Sequence, residues 1–255
     1  MDQKSNVSSD FFFHFTNKIE YIVDMVLNGF KPFYCPEMLE YFSKDELNTI
    51  QLAYPVICFC DIPLKLQKKH KKRFGGYGIG LKKKWGLDNY LTPVIYSHKN
   101  AVTSGVLKNF IDIYNIINDD TKKNGLSEED FKIFKNCMSL LIMSIKPYEG
   151  HSYIKEVKKF SIEPTRFYDE REWRYVPLNV NGTNLSLEME DYDNKQILMA
   201  ENEKIQKDNI LHFNLDDIEY IFLKQKSEQE PFLNNLRKRY LESEIEVIRT
   251  KIKIG

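Results

Sequence analysis

The stretch YPVICFCDIPL, residues 54–64, is a continuous apolar run set between prolines. It is far shorter than the roughly 20 apolar residues a membrane-crossing helix needs. Unbroken apolar character over that length predicts a strand buried on both faces. Such a strand needs cover above and below, so the remaining segments are read for what they can supply.

Upstream, FFFHF (residues 11–15) is aromatic in the way strands favour. Ile19, Ile22, Val23 and Val26 then recur at helical spacing. Thr16 or Asn17 is the expected cap of that helix, and Gly29 followed by Pro32 its end. LKLQKKHKKRFG predicts a basic helix, and YGIGLKKKWG and LTPVIYSH two further strands. Gly75, Gly76, Gly78 and Gly80 mark a turn into a strand whose backbone is closely approached. From about 101 to 150 the apolar period is helical, broken by the polar turn DDTKKNGLS, with Ser127 as an N-cap ahead of Glu128–Asp130. EREWRYVPL and HFNLDDIEYIFLK return to strand character, SEQEPFLNNLRKRYLES is a helix with Pro231 in its first turn, and EIEVIRTKI alternates like a strand. This irregular order predicts one α+β domain over residues 1–255, with a helical insertion at about 101–150.

Composition narrows the function classes. Hydrophobic residues at 42% and aromatics at 13% are those of a packed protein. Lys+Arg and Asp+Glu are each 37, so overall charge demands no nucleic-acid partner, although a local patch can still exist. No apolar run suits a membrane span, the first ten residues are polar, and four cysteines without an export signal read as reduced thiols, which together predict a cytoplasmic protein.

Four groups of residues can carry chemistry. His14 and Thr16 share one strand face, either satisfied by backbone or offered to a ligand. Cys58 and Cys60 with His70 lack the second half of a zinc site and read as core thiols, so no metal is expected. The basic clusters KKHKKRF and KKKW flank GGYGIGL, either as a solvated face or as a surface for RNA with Tyr77 and Trp85 to stack; the glycines match neither dinucleotide nor triphosphate fingerprints. In DEREWRY, alternation sends Trp173 and Tyr175 to the core, and Glu172 and Arg174 outward or into a cleft, with Glu170 in the loop ahead. That stretch is either a salt-bridged strand end or one wall of a site.

Taken together, FHFTNKIEYIVDMVLNGFKP, YPVICFCDIPL…FGGYGIGLKKKWG…PVIY and EREWRYVP resemble the bacterial abortive-infection AbiGi family over most of the chain. Its members are described as phage-resistance proteins, usually as the antitoxin half of a two-gene system. A more distant likeness runs to the ADP-ribosyltransferase superfamily, whose DNA-modifying toxins look similar in a strand ending His-x-Thr and a late strand opening Glu-x-Glu. That second likeness implies an ADP-ribosyltransferase-like mixed β core that transfers ADP-ribose from NAD to a nucleic-acid or protein acceptor. In it Glu172 is the catalytic carboxylate, Glu170 handles the acceptor, and His14, Thr16, Tyr77 and Arg174 hold NAD. The first likeness implies the alternative, a non-catalytic antitoxin that neutralises the toxin encoded beside it, by binding or by transcriptional control.

Overall fold

The computed structural model describes residues 8–39, 50–119, 127–177 and 183–255. The apolar run forms the end of a long strand, and the sheet is organised around it. The chain enters through β1 (Phe11–Thr16), α1 (Ile19–Asn28) and β2 (Phe33–Leu39), then runs along that strand, β3 (Ile50–Cys60). Next come α2 (Lys68–Phe74), β4 (Tyr77–Lys82), α3 (Lys83–Asp88), β5 (Thr92–Pro93) and β6 (Ile95–Ser97). The helical middle is α4 (Val102–Asp119) and α5 (Glu128–Met143), followed by β7 (Ile145–Pro147), β8 (Tyr153–Ile154) and β9 (Lys159–Phe160). The last third holds β10 (Glu172–Tyr175), β11 (Leu187–Glu188), α6 (Met189–Asp193), α7 (Lys195–Lys207), β12 (Ile218–Leu223), α8 (Gln229–Leu236), α9 (Glu242–Lys251) and β13 (Ile252–Ile254).

Among the described residues the main sheet runs β13-β12-β4-β1-β3-β10-β5, with β2 and β11 also paired to β3. β3 is long enough to serve two sets of neighbours. Its first half pairs with β2, from Leu39↔Ile50 to Phe33↔Val56, and its second half with β10, from Tyr175↔Ile57 to Glu172↔Cys60. β1 meets β3 at one pair, Phe13↔Cys60; beyond it the strands part, and the His14 Nδ1–H donates to the Cys58 carbonyl at 2.8 Å.

Strand alternation then sorts side chains onto two faces. Phe12, Phe59, Ile79 and Ile221 look to one side, where Ile22 and Val26 of α1, Phe232, Leu233 and Leu236 of α8, and Ile245 and Ile248 of α9 complete the largest core. Phe13, Phe15, Cys60 and Phe222 look to the other, under α2. On that second side, along the first half of β3, Tyr54 and Val56 pack with Leu107 of α4 and Met143 of α5. The helical middle therefore roofs part of the face that carries Glu172. On the face that carries Phe13 and Phe15, β4 leaves room for their rings because it has glycine at the paired positions: a Cβ on Gly80 would meet the Phe13 ring at 2.8 Å. Gly75 enters β4 at φ 118°, and a Cβ there would lie 2.0 Å from the Thr16 carbonyl oxygen.

The α+β class and most elements follow expectation, and several details differ. The N-cap of α1 is Lys18, which makes no side-chain cap bond, so neither Thr16 nor Asn17 plays that part. Lys83–Asp88 is helical, not an extension of the strand before it. EIEVIRTKI is mostly α9: Ile245 and Ile248 are buried one helical turn apart, with acids in the first turn and Arg249 and Lys251 in the last. Ser127 caps α5, accepting from the Asp130 N–H at 3.1 Å, while most of the polar turn before it lies outside the described residues. Among the described residues no helix is long and apolar enough to cross a membrane.

Candidate functional site

The first strand of the site is β10; Trp173 and Tyr175 face the main core as alternation predicts, but the charged face is the more deeply buried of the two. Glu172 and Arg174 are 5% and 1% exposed, whereas Trp173 and Tyr175 are only half-buried against the main core. Charged side chains sit this deep only when partnered. Arg174 donates through Nε to Glu172 Oε1 (2.6 Å) and through Nη1 to the Met143 carbonyl (2.6 Å), and its Nη2 pairs with Glu37 on β2. Lys146 on β7 donates to Glu172 Oε2 (2.6 Å) and Glu170 Oε2 (2.9 Å). Arg73 from α2 brings Nη1 within 2.5 Å of Glu170 Oε1, an ion pair lying off the hydrogen-bond axis.

Local backbone geometry makes the sharing feasible. Phe167–Glu170 is a short 3-10 turn, and Arg171 closes it in the left-handed region (φ 44°, ψ 52°) before β10 begins. That reversal lets the carboxylates on either side of Arg171 reach one ammonium. Phe167 lies beneath, with Lys146 Nζ 4.6 Å from its ring centre. The Glu172 N–H donates to the Tyr96 hydroxyl oxygen at 2.8 Å.

Three carboxylates (Glu37, Glu170, Glu172) thus meet three cations (Arg73, Lys146, Arg174), and the cluster is neutral. Burial by itself would raise the Glu172 carboxyl, but Arg174 and Lys146 pull it well below the usual carboxylate range. Burial would likewise lower the Lys146 ammonium, yet Glu170, Glu172 and Glu37 hold it well above its ordinary value. The Cys58 thiol beside Glu172 is driven up by its hydrogen bond with Cys35 and by burial, so it keeps its proton.

The remaining predicted residues lie elsewhere. Glu172 shares a strand face with Cys60 and Phe13, so His14 and Thr16, one residue out of phase with Phe13, point to the opposite side. Tyr77 pairs with Thr16 and shares its side. His14 packs edge-on against Phe30 and Phe59, and burial lowers its pKa. Thr16 is buried, and the Tyr77 hydroxyl donates to Glu228 at 2.6 Å. The expected single cleft, with His14, Thr16 and Tyr77 facing Glu172, is therefore corrected: β3 stands between the two sets and their faces oppose. Glu170, Glu172 and Arg174 do come together. Glu37, Lys146 and Arg73 were not expected there. The signal for Glu37 and Lys146 was a lone charge in apolar surroundings, CPEML and IMSIKP. Among the described residues no group of His, Cys, Asp and Glu is placed to hold a metal ion.

A family model described as "Putative abortive phage resistance protein AbiGi, antitoxin" matches residues 28–224, a span that includes the whole charge cluster and begins after His14 and Thr16. An abortive phage resistance protein AbiGi of Lactococcus lactis subsp. cremoris is 29% identical over 229 residues, covering 83% of this chain and 88% of its own length. No solved structure matches.

Proposed function

The chain belongs to the AbiGi family of abortive phage resistance proteins, and from that premise we propose that it acts in phage defence as a non-catalytic antitoxin, binding the toxin encoded by an adjacent gene. One observation carries the choice against catalysis: both Glu172 carboxylate oxygens are already held, by Arg174 and by Lys146, at 2.6 Å each. A carboxylate that stabilises a sugar cation must present net negative potential to it. A carboxylate with both oxygens paired in a neutral cluster presents little, and breaking the cluster costs the desolvation of whichever charge is left behind.

The test joins two assays. Co-expression with the neighbouring gene product should give a complex that survives purification, and Tyr77→Phe, which removes one hydroxyl, should leave complex and phage protection intact. Incubating wild type with labelled NAD, lysate and nucleic acids should transfer no label. Label transfer by wild type that disappears in a folded Glu172→Gln variant would reject the reading.

A second reading keeps the ADP-ribosyltransferase likeness. It is favoured by Glu170-x-Glu172 at the mouth of a strand and by the parting of β1 from β3 after one pair. In it Glu172 stabilises the ribosyl cation of NAD, Glu170 orients the acceptor, Lys146 must first leave Glu172, and NAD is held without His14, Thr16 and Tyr77, which face the other side of the sheet. The label-transfer assay separates the two.

A further inference from the structure

We propose that the cleft between α2 and residues 165–171 binds a nucleotide, its phosphate held by Arg166, Arg171 and Lys69 and its base stacked on Tyr168 or Phe74. The cleft has a volume of about 310 Å³, the size of a small-ligand site. It opens beside the charge cluster and does not depend on the toxin-binding reading.

Charge is the first observation. The whole chain balances at 37 against 37, yet residues 62–87 hold nine Lys and Arg and no carboxylate. Within the cleft, Lys69, Arg73, Arg166 and Arg171 stand against Asp169 and Glu170. Arg73 and Glu170 already belong to the neutral cluster, which leaves Lys69, Arg166 and Arg171 against Asp169, itself 3.4 Å from Lys69. The cations therefore exceed the carboxylates, and the excess suits a phosphate.

The second observation points inward. Arg171 Nε is buried with no hydrogen-bond partner among the described residues, on a residue held in the left-handed region. A buried donor without an acceptor is costly, and since the Arg171 side chain lines the cleft, a small turn of it would bring that N–H to a phosphate oxygen. The third is aromatic. Tyr168 is 46% exposed and stacked on Tyr148 at 5.3 Å, and Phe74, 36% exposed, lies 4.4 Å from the His70 ring. Half-exposed rings beside cations are the platform on which unpaired bases stack. Burial, then the nearby Arg73 charge, push the His70 pKa down to about 4, so at neutral pH its ring is an uncharged partner.

A free nucleotide and a nucleotide within a single strand present the same chemistry, and the experiment has an arm for each. Full-length protein is titrated with AMP, with ATP and with a labelled eight-nucleotide oligo-U or oligo-dT, at 50 mM and 200 mM salt. Binding of at least one probe is expected, and for the oligonucleotide a fall on the order of tenfold at the higher salt. Lys69→Glu with Arg166→Glu, both exposed positions, should weaken binding at least tenfold, and Tyr168→Ala on the order of fivefold or more. Lys195→Glu with Lys238→Glu makes the same charge change outside the cleft and should leave binding unchanged. Preference for AMP or ATP assigns a free nucleotide, and preference for the oligonucleotide assigns a strand. No binding, or equal loss in cleft and control pairs, overturns the proposal.

Discussion

Lys146 is the cation on which Glu170 and Glu172 both depend, with Glu37 Oε1 4.0 Å away. Lys146→Met keeps the bulk of the stem and removes the charge, leaving three carboxylates against two cations in a largely buried site. A loss of about 3–5 kcal/mol is expected, read from the urea midpoint. Adding Glu170→Gln should restore part of it, since one of the stranded charges is then gone; a double variant as unstable as the sum of the singles would mean the two do not interact. At this scale the sequence was legible in part. Glu170, Glu172 and Arg174 stand within five residues, so a charged strand end could be read from them alone. Glu37 reaches Arg174 from 137 residues away, and Lys146 reaches Glu172 from 26. Glu37 and Arg174 are matched by β3, with which both their strands pair, and Lys146 arrives on β7, which pairs with β6; no local pattern encodes either. The depth of the charged face is hidden for the same reason: a charge every second residue on a strand looks solvent-facing until its counter-ions are known.

Elements are decided by periodicity, and α9 shows where periodicity divides. Read as a strand, Ile245 and Val247 would share a face; read as a helix, Ile245 and Ile248 do. The fold takes the second, with Ile248 fully buried and Val247 43% exposed. Ile248→Ala should therefore cost about 2–4 kcal/mol and Val247→Ala less than about 0.5 kcal/mol, by denaturant unfolding; a larger loss at Val247 than at Ile248 would favour the strand. β4 makes a complementary case. Gly80 lies so close to Phe13 that Gly80→Ala is expected to cost about 1–3 kcal/mol through overpacking. With Phe13→Leu the alanine has more room, and the double variant should lose less than the two singles together. The close approach to this strand was readable from its glycines. The helix α7 carried no reading beforehand, because its residues LMAENEKIQK give a weak apolar stripe with Ile205 buried at one end.

For the whole molecule, the buried cluster sets a window of pH. The Glu172 carboxyl has an ordinary value of 4.5 and lies lower when folded. Its contribution is thus present above about 4.5 and is lost as acid protonates the unfolded chain first. Lys146, ordinarily 10.5, lies higher when folded, so its contribution is present below about 10.5 and is lost above it. The thermal midpoint should hold between about pH 5 and 10 and fall on either side. Folded Glu172→Gln should show a shallower acid limb and Lys146→Met a shallower alkaline one; unchanged limbs would place these groups in water.

Local pattern was enough to establish an α+β chain, the apolar strand at its centre, the helices α1, α2, α4, α5 and α8, and the family likeness of the three separated blocks. These follow from interactions within a few residues, namely alternation, helical period, glycine and capping chemistry. Which face each strand turned to its neighbours was settled by register. The pair Phe13↔Cys60 puts His14 on one side of the sheet and the pair Glu172↔Cys60 puts Glu172 on the other. Because side chains alternate with every residue, a single pairing decides whether two motifs share a cleft or stand back to back, and pairing is a property of the folded sheet.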